Sequence, residues 1–343
     1  MRSILPFTSI VDQEQLKQAL LLNAINQRIG GVLIRGAKGT GKSTTVRALA
    51  ELLPEVDVVE DCPFRCNPTD PTNMCDICRE KMMKGELNGT KKRMEVVELP
   101  IGATEDSVVG TLNIEKAIRE GVRALEPGVL AKANQNILYV DEINLLPDHI
   151  TDVILDAAAS GWNVVEREGI SVQHPARFIL VGTMNPEEGE LRPQLLDRLA
   201  LHTEISTIKD PALRVEVVKV NMRYEEDPEA LKEDYREKQE ELVERILRAK
   251  TLLKDVTVPD RLYEVVANMC INLNLDGHRP DIIIIKSART LAAFMDRTMV
   301  EPQDILDCSL LALSHRTRNL GREPPASDRV IREAFSRAMS GLG

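Results

Sequence analysis

Gly36-Ala37-Lys38-Gly39-Thr40-Gly41-Lys42-Ser43 follows the apolar run Val32-Leu33-Ile34 and leads into a helix-like stretch from Thr44 to Leu53. Glycines spaced G-x-x-x-x-G-K-S between a strand and a helix let consecutive backbone N–H groups converge on an anion, with the helix dipole pointing at the same spot. That is the pattern of a phosphate cradle for a nucleoside triphosphate. Lys42 is placed to reach the β- and γ-phosphates. The Ser43 hydroxyl is placed to complete a Mg²⁺ shell whose other oxygens come from phosphate and water. Gly36, Gly39, Thr40, Gly41, Lys42, Ser43 and Thr44 are the expected nucleotide-binding residues, with ATP and Mg²⁺ as ligands.

A second half of such a site stands a hundred residues on, where Asn136-Ile137-Leu138-Tyr139-Val140 reads as a buried strand ending in Asp141-Glu142. Parallel strands present their carboxyl ends to the ligand crevice, so Asp141 can hold the Mg²⁺ through water while Glu142 polarises an attacking water. The alternative is a pair of solvated acids before a helix that begins near Pro147.

Working outward, strand-like runs at residues 32–34, 94–99, 137–140 and 178–181 alternate with helical patterns, which predicts an α/β domain, a parallel sheet flanked by helices, over residues 1–208. Residues 163–172 alternate around a Glu-Gly pair and predict a β-hairpin. Residues 209–254 are densely charged, with Leu231, Tyr235, Leu242, Ile246 and Ala249 on one apolar face, and predict a helical connector. Residues 255–343 predict an all-helical C-terminal domain, with Cys270 and Cys308 in its core.

The chain has 343 residues, enough for about two domains, and a formal net charge of −10. That charge, with only 3% aromatic residues, argues against nucleic acid as a partner, which excess Lys and Arg or stacking rings would bind. No apolar run is long enough to span a membrane, and the first residues lack the apolar stretch of a secretory signal, so a cytoplasmic location is expected.

Four of the six cysteines, Cys62, Cys66, Cys75 and Cys78, fall in the segment 62–78. Cys75-x-x-Cys78 has zinc spacing and Cys62-x-x-x-Cys66 is a looser partner; a structural zinc, redox-regulated thiols and an iron–sulfur cluster all remain open. The five histidines share no ligand spacing, and most are read as surface or helix-end positions.

Taken together, the phosphate loop, Asp141-Glu142, Asn185 beyond the fourth strand, Arg198 in Leu195-Leu196-Asp197-Arg198-Leu199 and Arg279 in Gly277-His278-Arg279-Pro280 resemble an AAA+ ATPase. More narrowly, the chain is similar to the I subunits of magnesium chelatase. The likeness runs through Ile101-Gly102-Ala103-Thr104-Glu105-Asp106, Leu125-Glu126-Pro127-Gly128-Val129-Leu130-Ala131-Lys132-Ala133-Asn134, Ser160-Gly161-Trp162-Asn163 and Asn185-Pro186-Glu187-Glu188-Gly189-Glu190-Leu191-Arg192-Pro193-Gln194.

The resemblance implies that Asn185 is a polar sensor helping Glu142 to orient water, that Arg198 is a finger reaching the γ-phosphate of a neighbouring subunit, and that Arg279 is a sensor carried by the helical domain. Each arginine could instead be a surface ion-pair residue. The resemblance also implies a homo-oligomeric ring, a hexamer, with residues 102–134 as a helical insertion. Its partners would be a D subunit with an integrin-like domain and a large porphyrin-binding H subunit, which put Mg²⁺ into protoporphyrin IX on the way to chlorophyll or bacteriochlorophyll. The chain carries no D-x-S-x-S metal-adhesion signature of its own. The alternative is a related remodelling ATPase, a MoxR-like chaperone serving another metal-dependent partner.

Overall fold

Val32, Leu33 and Ile34 have no solvent-exposed surface. The strand they begin, Val32–Gly36, pairs parallel with Leu201–Ile205, in register from Val32 opposite Leu201 to Gly36 opposite Ile205. The computed structural model describes residues 4–112, 125–167, 170–319 and 322–341. The chain divides into two compact units, Met1–Thr45 with Asn185–Gly343, and Val46–Met184.

In the first unit the parallel pair is accompanied by the helix Glu14–Ile25, whose Leu16, Ala19, Leu20 and Leu22 are buried. Beyond Ile205 the α-helices among the described residues are Pro211–Glu226, Pro228–Leu252, Asp260–Asn272, Arg279–Phe294, Pro302–Leu313 and Asp328–Ser340. The charged stretch expected as one connector is two helices. Asp227 ends the first and caps the second, its carboxylate accepting from Glu229 N at 3.2 Å and Ala230 N at 3.0 Å, while Pro228 starts the new helix. A residue before proline is pushed out of the helical region, and Asp at the N-cap satisfies the orphan donors, so the break is written in Asp-Pro. Along Pro228–Leu252, Leu231, Ile246 and Ala249 are buried and Tyr235 and Leu242 half-buried. Cys270 and Cys308 are buried among the last helices, as expected.

In the second unit Ile137–Val140 lies between Val96–Leu99 and Ile179–Met184, both parallel to it. Every residue of Ile137–Val140 and of Ile179–Met184 is buried, the continuous apolar run of a sheet covered on both faces. The hairpin is present as Trp162–Arg167 against Ile170–Pro175, with Asn163 opposite His174; its Glu-Gly turn lies outside the described residues. Within the expected helical insertion, the described residues hold helices Glu105–Val109 and Val129–Ala133 and also an antiparallel pair, Gly110–Leu112 with Leu125–Pro127. The segment is therefore not helical alone, and residues 113–124 lie outside the description. Gly110, at φ +105°, ends its helix, and a side chain there would strike the Glu126 carbonyl at 2.5 Å. A helix could not continue through that contact.

The fold is thus α/β, with parallel strands flanked by helices and a C-terminal helical region. Leu201–Ile205 was not legible, because His202 and Thr203 interrupt its apolar run and both are nonetheless buried.

Candidate functional site

The sequence-derived site residues divide between the two units. Lys42, Ser43, Asn185, Arg198 and Arg279 belong to the first, Asp141, Glu142 and the four loop cysteines to the second.

The phosphate loop turns on Gly39 and Gly41, at φ +80° and +82°. A Cβ on Gly36 would sit 2.6 Å from the Ile205 carbonyl, so that glycine lets two backbones approach. Lys42 opens the helix Lys42–Leu52 and bends back over the loop, its Nζ donating to the Ala37 carbonyl at 2.9 Å and to that of Gly36. Ser43 and Thr44 are exposed beside it. An ammonium and a hydroxyl at a helix N-terminus, behind a loop with left-handed glycines, suit a triphosphate with its Mg²⁺.

Gln13 braces the loop. Its Nε2 donates to the Thr40 carbonyl at 2.9 Å and its Oε1 accepts from Thr45 Oγ1 at 3.2 Å. No sequence motif marks Gln13, whose role depends on packing across 27 positions. The loop opens on a cavity of about 630 Å³, with Gly39, Gly41 and Thr44 on one side and Ile10, Val11, Ile208 and Val217 among the apolar residues lining it. Phosphate-loop glycines and apolar side chains lining one cavity would suit the phosphates and base of a nucleotide.

In the second unit Asp141 is held by two donors. Tyr139 Oη donates to its Oδ1 at 3.1 Å and Thr183 Oγ1 at 2.6 Å, while Thr183 Oγ1 accepts from the Glu142 N–H at 3.0 Å. Burial, then the neighbouring Asp141 carboxylate, raises the Tyr139 phenol, so it stays a donor. Glu142 sits at φ +53°, a left-handed conformation that costs energy for a non-glycine residue and concentrates at functional positions. Tyr139 and Thr183, which hold the Asp141 carboxylate, are not singled out by spacing.

Asn185 is 5% exposed, its Oδ1 accepting from Glu187 N at 3.3 Å. Arg198 and Arg279 line one cleft together with Arg192, Arg316 and Asp197. Asp197 pairs with Arg279 at 3.2 Å and, more closely, with Arg316. Arg316 is 2% exposed and also donates to the carbonyls of Ala312 at 2.8 Å and Leu199 at 3.1 Å. Burial lowers its guanidinium and Asp197 opposes that, leaving a fixed cation. This buried arginine was not anticipated, since Arg316 and Asp197 are 119 positions apart.

The four loop cysteines do converge: Cys62, Cys66, Cys75 and Cys78 have sulfurs all within 4.8 Å of one another. The histidines correct the sequence reading. His174, His202 and His315 are buried, because each finds a partner inside: Asn163 Nδ2, Ser314 Oγ and the Leu199 carbonyl respectively.

Those partners set a pH dependence. Burial, then Arg316, holds His315 well below the usual imidazole range, and its Nε2 donates to the Leu199 carbonyl at 3.0 Å. Burial, then Arg35, lowers His202 to about 4. Unfolded, both would take a proton near pH 6.5, so the unfolded state binds more protons below that. Stability is full above about pH 6.5 and falls as pH drops towards 4, by on the order of 3 kcal/mol for His202. Urea unfolding at pH 7 and 4.5 should show the loss, and His202→Gln should make the dependence shallower; an unchanged slope would refute it.

Among the described residues no helix is long and apolar enough to cross a membrane. Residues 26–188 match the family described as AAA domain, and residues 264–336 match the AAA lid domain. The phosphate loop, parallel strands and helical C-terminal region are therefore those of an AAA ATPase. The chain is 58% identical over 325 residues to the magnesium-chelatase subunit ChlI homolog of Methanocaldococcus jannaschii, covering 95% of this chain and 88% of that protein. It is 54% identical to the chloroplastic magnesium-chelatase subunit ChlI of Chlamydomonas reinhardtii, covering 97% and 80%. Among solved structures it is similar to a chain in the complex between subunits BchI and BchD of magnesium chelatase, with 44% identity, a TM-score of 0.56, and coverage of 97% and 100%. The chain belongs to the magnesium-chelatase subunit ChlI family.

Proposed function

We propose that this chain is the ATP-hydrolysing motor of a magnesium chelatase, working as a homo-oligomeric ring, a hexamer, that drives D- and H-type partners to insert Mg²⁺ into protoporphyrin IX. Its strongest support is the phosphate loop opening on a cavity of about 630 Å³ lined by both polar and apolar residues, in a chain that matches ChlI proteins over nearly its whole length. In this role the loop 36–44 binds the triphosphate through backbone N–H groups and Lys42, while Ser43 and Asp141 hold the nucleotide's Mg²⁺. Mg²⁺ held there would offset charge on the phosphate oxygens. Glu142 takes up proton density from the attacking water, and Asn185 orients that water. The fixed left-handed backbone of Glu142 and the Thr183 bond suit a carboxylate that must keep one position.

Arg198 supplies positive charge to the nucleotide of a neighbouring copy, and Arg279 senses nucleotide state. In support, the cleft lined by Arg198 and Arg279 shares no lining residue with the phosphate-loop cavity. Asp197, clamped by Arg316, positions Arg279 at that cleft.

Reconstitution tests the function. The chain alone should hydrolyse ATP slowly and insert no metal; with D- and H-type partners, ATP and protoporphyrin IX, the magnesium porphyrin should appear by absorbance and vanish when this chain is omitted. Chelation that proceeds equally without it would move the function to a remodelling ATPase for another metal-dependent protein.

A further inference from the structure

We propose that Cys62, Cys66, Cys75 and Cys78 hold a single tetrahedral zinc ion, and that this ion clamps the cysteine loop onto the base of the hairpin Trp162–Pro175. Zinc bound by four thiolates at about 2.3 Å places the sulfurs about 3.8 Å apart. Here all four sulfurs lie within 4.8 Å of one another, with Cys62 and Cys75 at 4.0 Å. Four sulfurs gathered about one point do not describe two disulfides, which would bring them together in separate pairs. Nor do they describe a cluster, whose thiolates sit on different irons and spread more widely than ligands of one ion.

The local chain delivers these ligands in two legs. Cys62 and Cys66 flank a tight turn in which Arg65 takes φ +46°. Cys75 stands at the N-cap of the helix Asp76–Met83 and Cys78 in its first turn, so both sulfurs leave the same helix end. The Cys75 N–H donates to Cys66 Sγ at 3.1 Å, a bond that steadies a thiolate ligand. Cys66, Cys75 and Cys78 are buried, yet between Val59 and Cys75 the only regular structure is the short turn Pro71–Asn73. Four thiols gathered inside so little secondary structure need something to hold them, and a closed tetrathiolate ion supplies folding free energy of that kind.

The loop's outer side shows what the ion would hold in place. Phe64, between the first two cysteines, stacks on His174 of the hairpin with ring centroids 4.8 Å apart. The Arg79 guanidinium, next to Cys78, lies 5.4 Å from the ring centroid of Trp162 at the hairpin's first residue. The Phe64 and Arg65 carbonyls accept from Asn134 Nδ2 at 2.8 and 3.0 Å. Zinc would therefore fix two side chains that grip the hairpin, while the phosphate loop belongs to the other unit.

Untagged protein examined by elemental analysis should carry about one zinc per chain, and a cobalt-substituted sample should show the ligand-field bands of a tetrahedral tetrathiolate. Trp162 is the only tryptophan, so its fluorescence reports on the clamp directly. Stripping the metal from folded protein with a mercurial and a chelator should shift that emission while changing the Kd for a fluorescent ATP analogue by less than about twofold. Cys78→Ser should lower zinc occupancy in the same way, and the stripping experiment stands if that variant fails to fold. Folded protein with four titratable thiols and no metal would overturn the site, as would iron with or without sulfide. Zinc whose removal leaves Trp162 emission unchanged would overturn the clamp.

Discussion

Glu142→Gln keeps ATP bound and stops its hydrolysis, whereas Lys42→Ala loses the nucleotide itself. The two residues differ in what they would offer. The glutamine amide preserves the size of Glu142 and, with the backbone unchanged, its N–H bond to Thr183 Oγ1 at 3.0 Å. What it lacks is a lone pair basic enough to take proton density from water, an effect worth about 10²- to 10⁴-fold in rate. Lys42 instead supplies the ammonium at the head of the phosphate-facing helix, where its Nζ lies over the loop carbonyls of Gly36 and Ala37. A charged hydrogen bond of about 1.5–3 kcal/mol, lost with alanine, weakens binding by roughly 10- to 150-fold. Titration with a fluorescent ATP analogue, followed by single-turnover hydrolysis at saturating enzyme, separates the two. Wild-type turnover in Glu142→Gln would remove that residue from the chemistry, and unaltered affinity in Lys42→Ala would remove the lysine from the phosphates.

The phosphate loop and Asp141-Glu142 could be read from the chain because each is a local device: a fixed spacing of residue types set against one strand and one helix. The same holds for the helix break at Asp227-Pro228, where cap and proline are adjacent. What could not be read depends on partners brought from afar. His202 looks too polar for a buried strand until Ser314 is in place. Gln13 becomes a brace only where the chain returns at Thr40, and Arg316 becomes a clamp only where it meets Asp197. The buried histidines were misjudged for the same reason. A lone His in sequence shows no carbonyl or amide to satisfy it, and His174 and His315 are buried because such partners exist.

Arg198→Ala should bind ATP as the wild type does and yet turn over at least about a thousandfold more slowly, the range by which a guanidinium finger accelerates phosphoryl transfer. Its place explains the separation. Arg198 ends the helix Pro193–Arg198 and lines a cleft that has no lining residue in common with the phosphate-loop cavity, so truncating it leaves that cavity's walls untouched. If it serves a neighbouring copy, two inactive proteins should repair each other. Rings mixed from Arg198→Ala and Lys42→Ala subunits contain interfaces where the intact arginine of one faces the intact phosphate loop of the other, and these should hydrolyse ATP although neither variant does alone. Wild-type subunits diluted with Lys42→Ala measure how far a ring tolerates dead neighbours. Rings that tolerate them, but stay silent when the two variants are mixed, would mean that Arg198 acts within its own subunit.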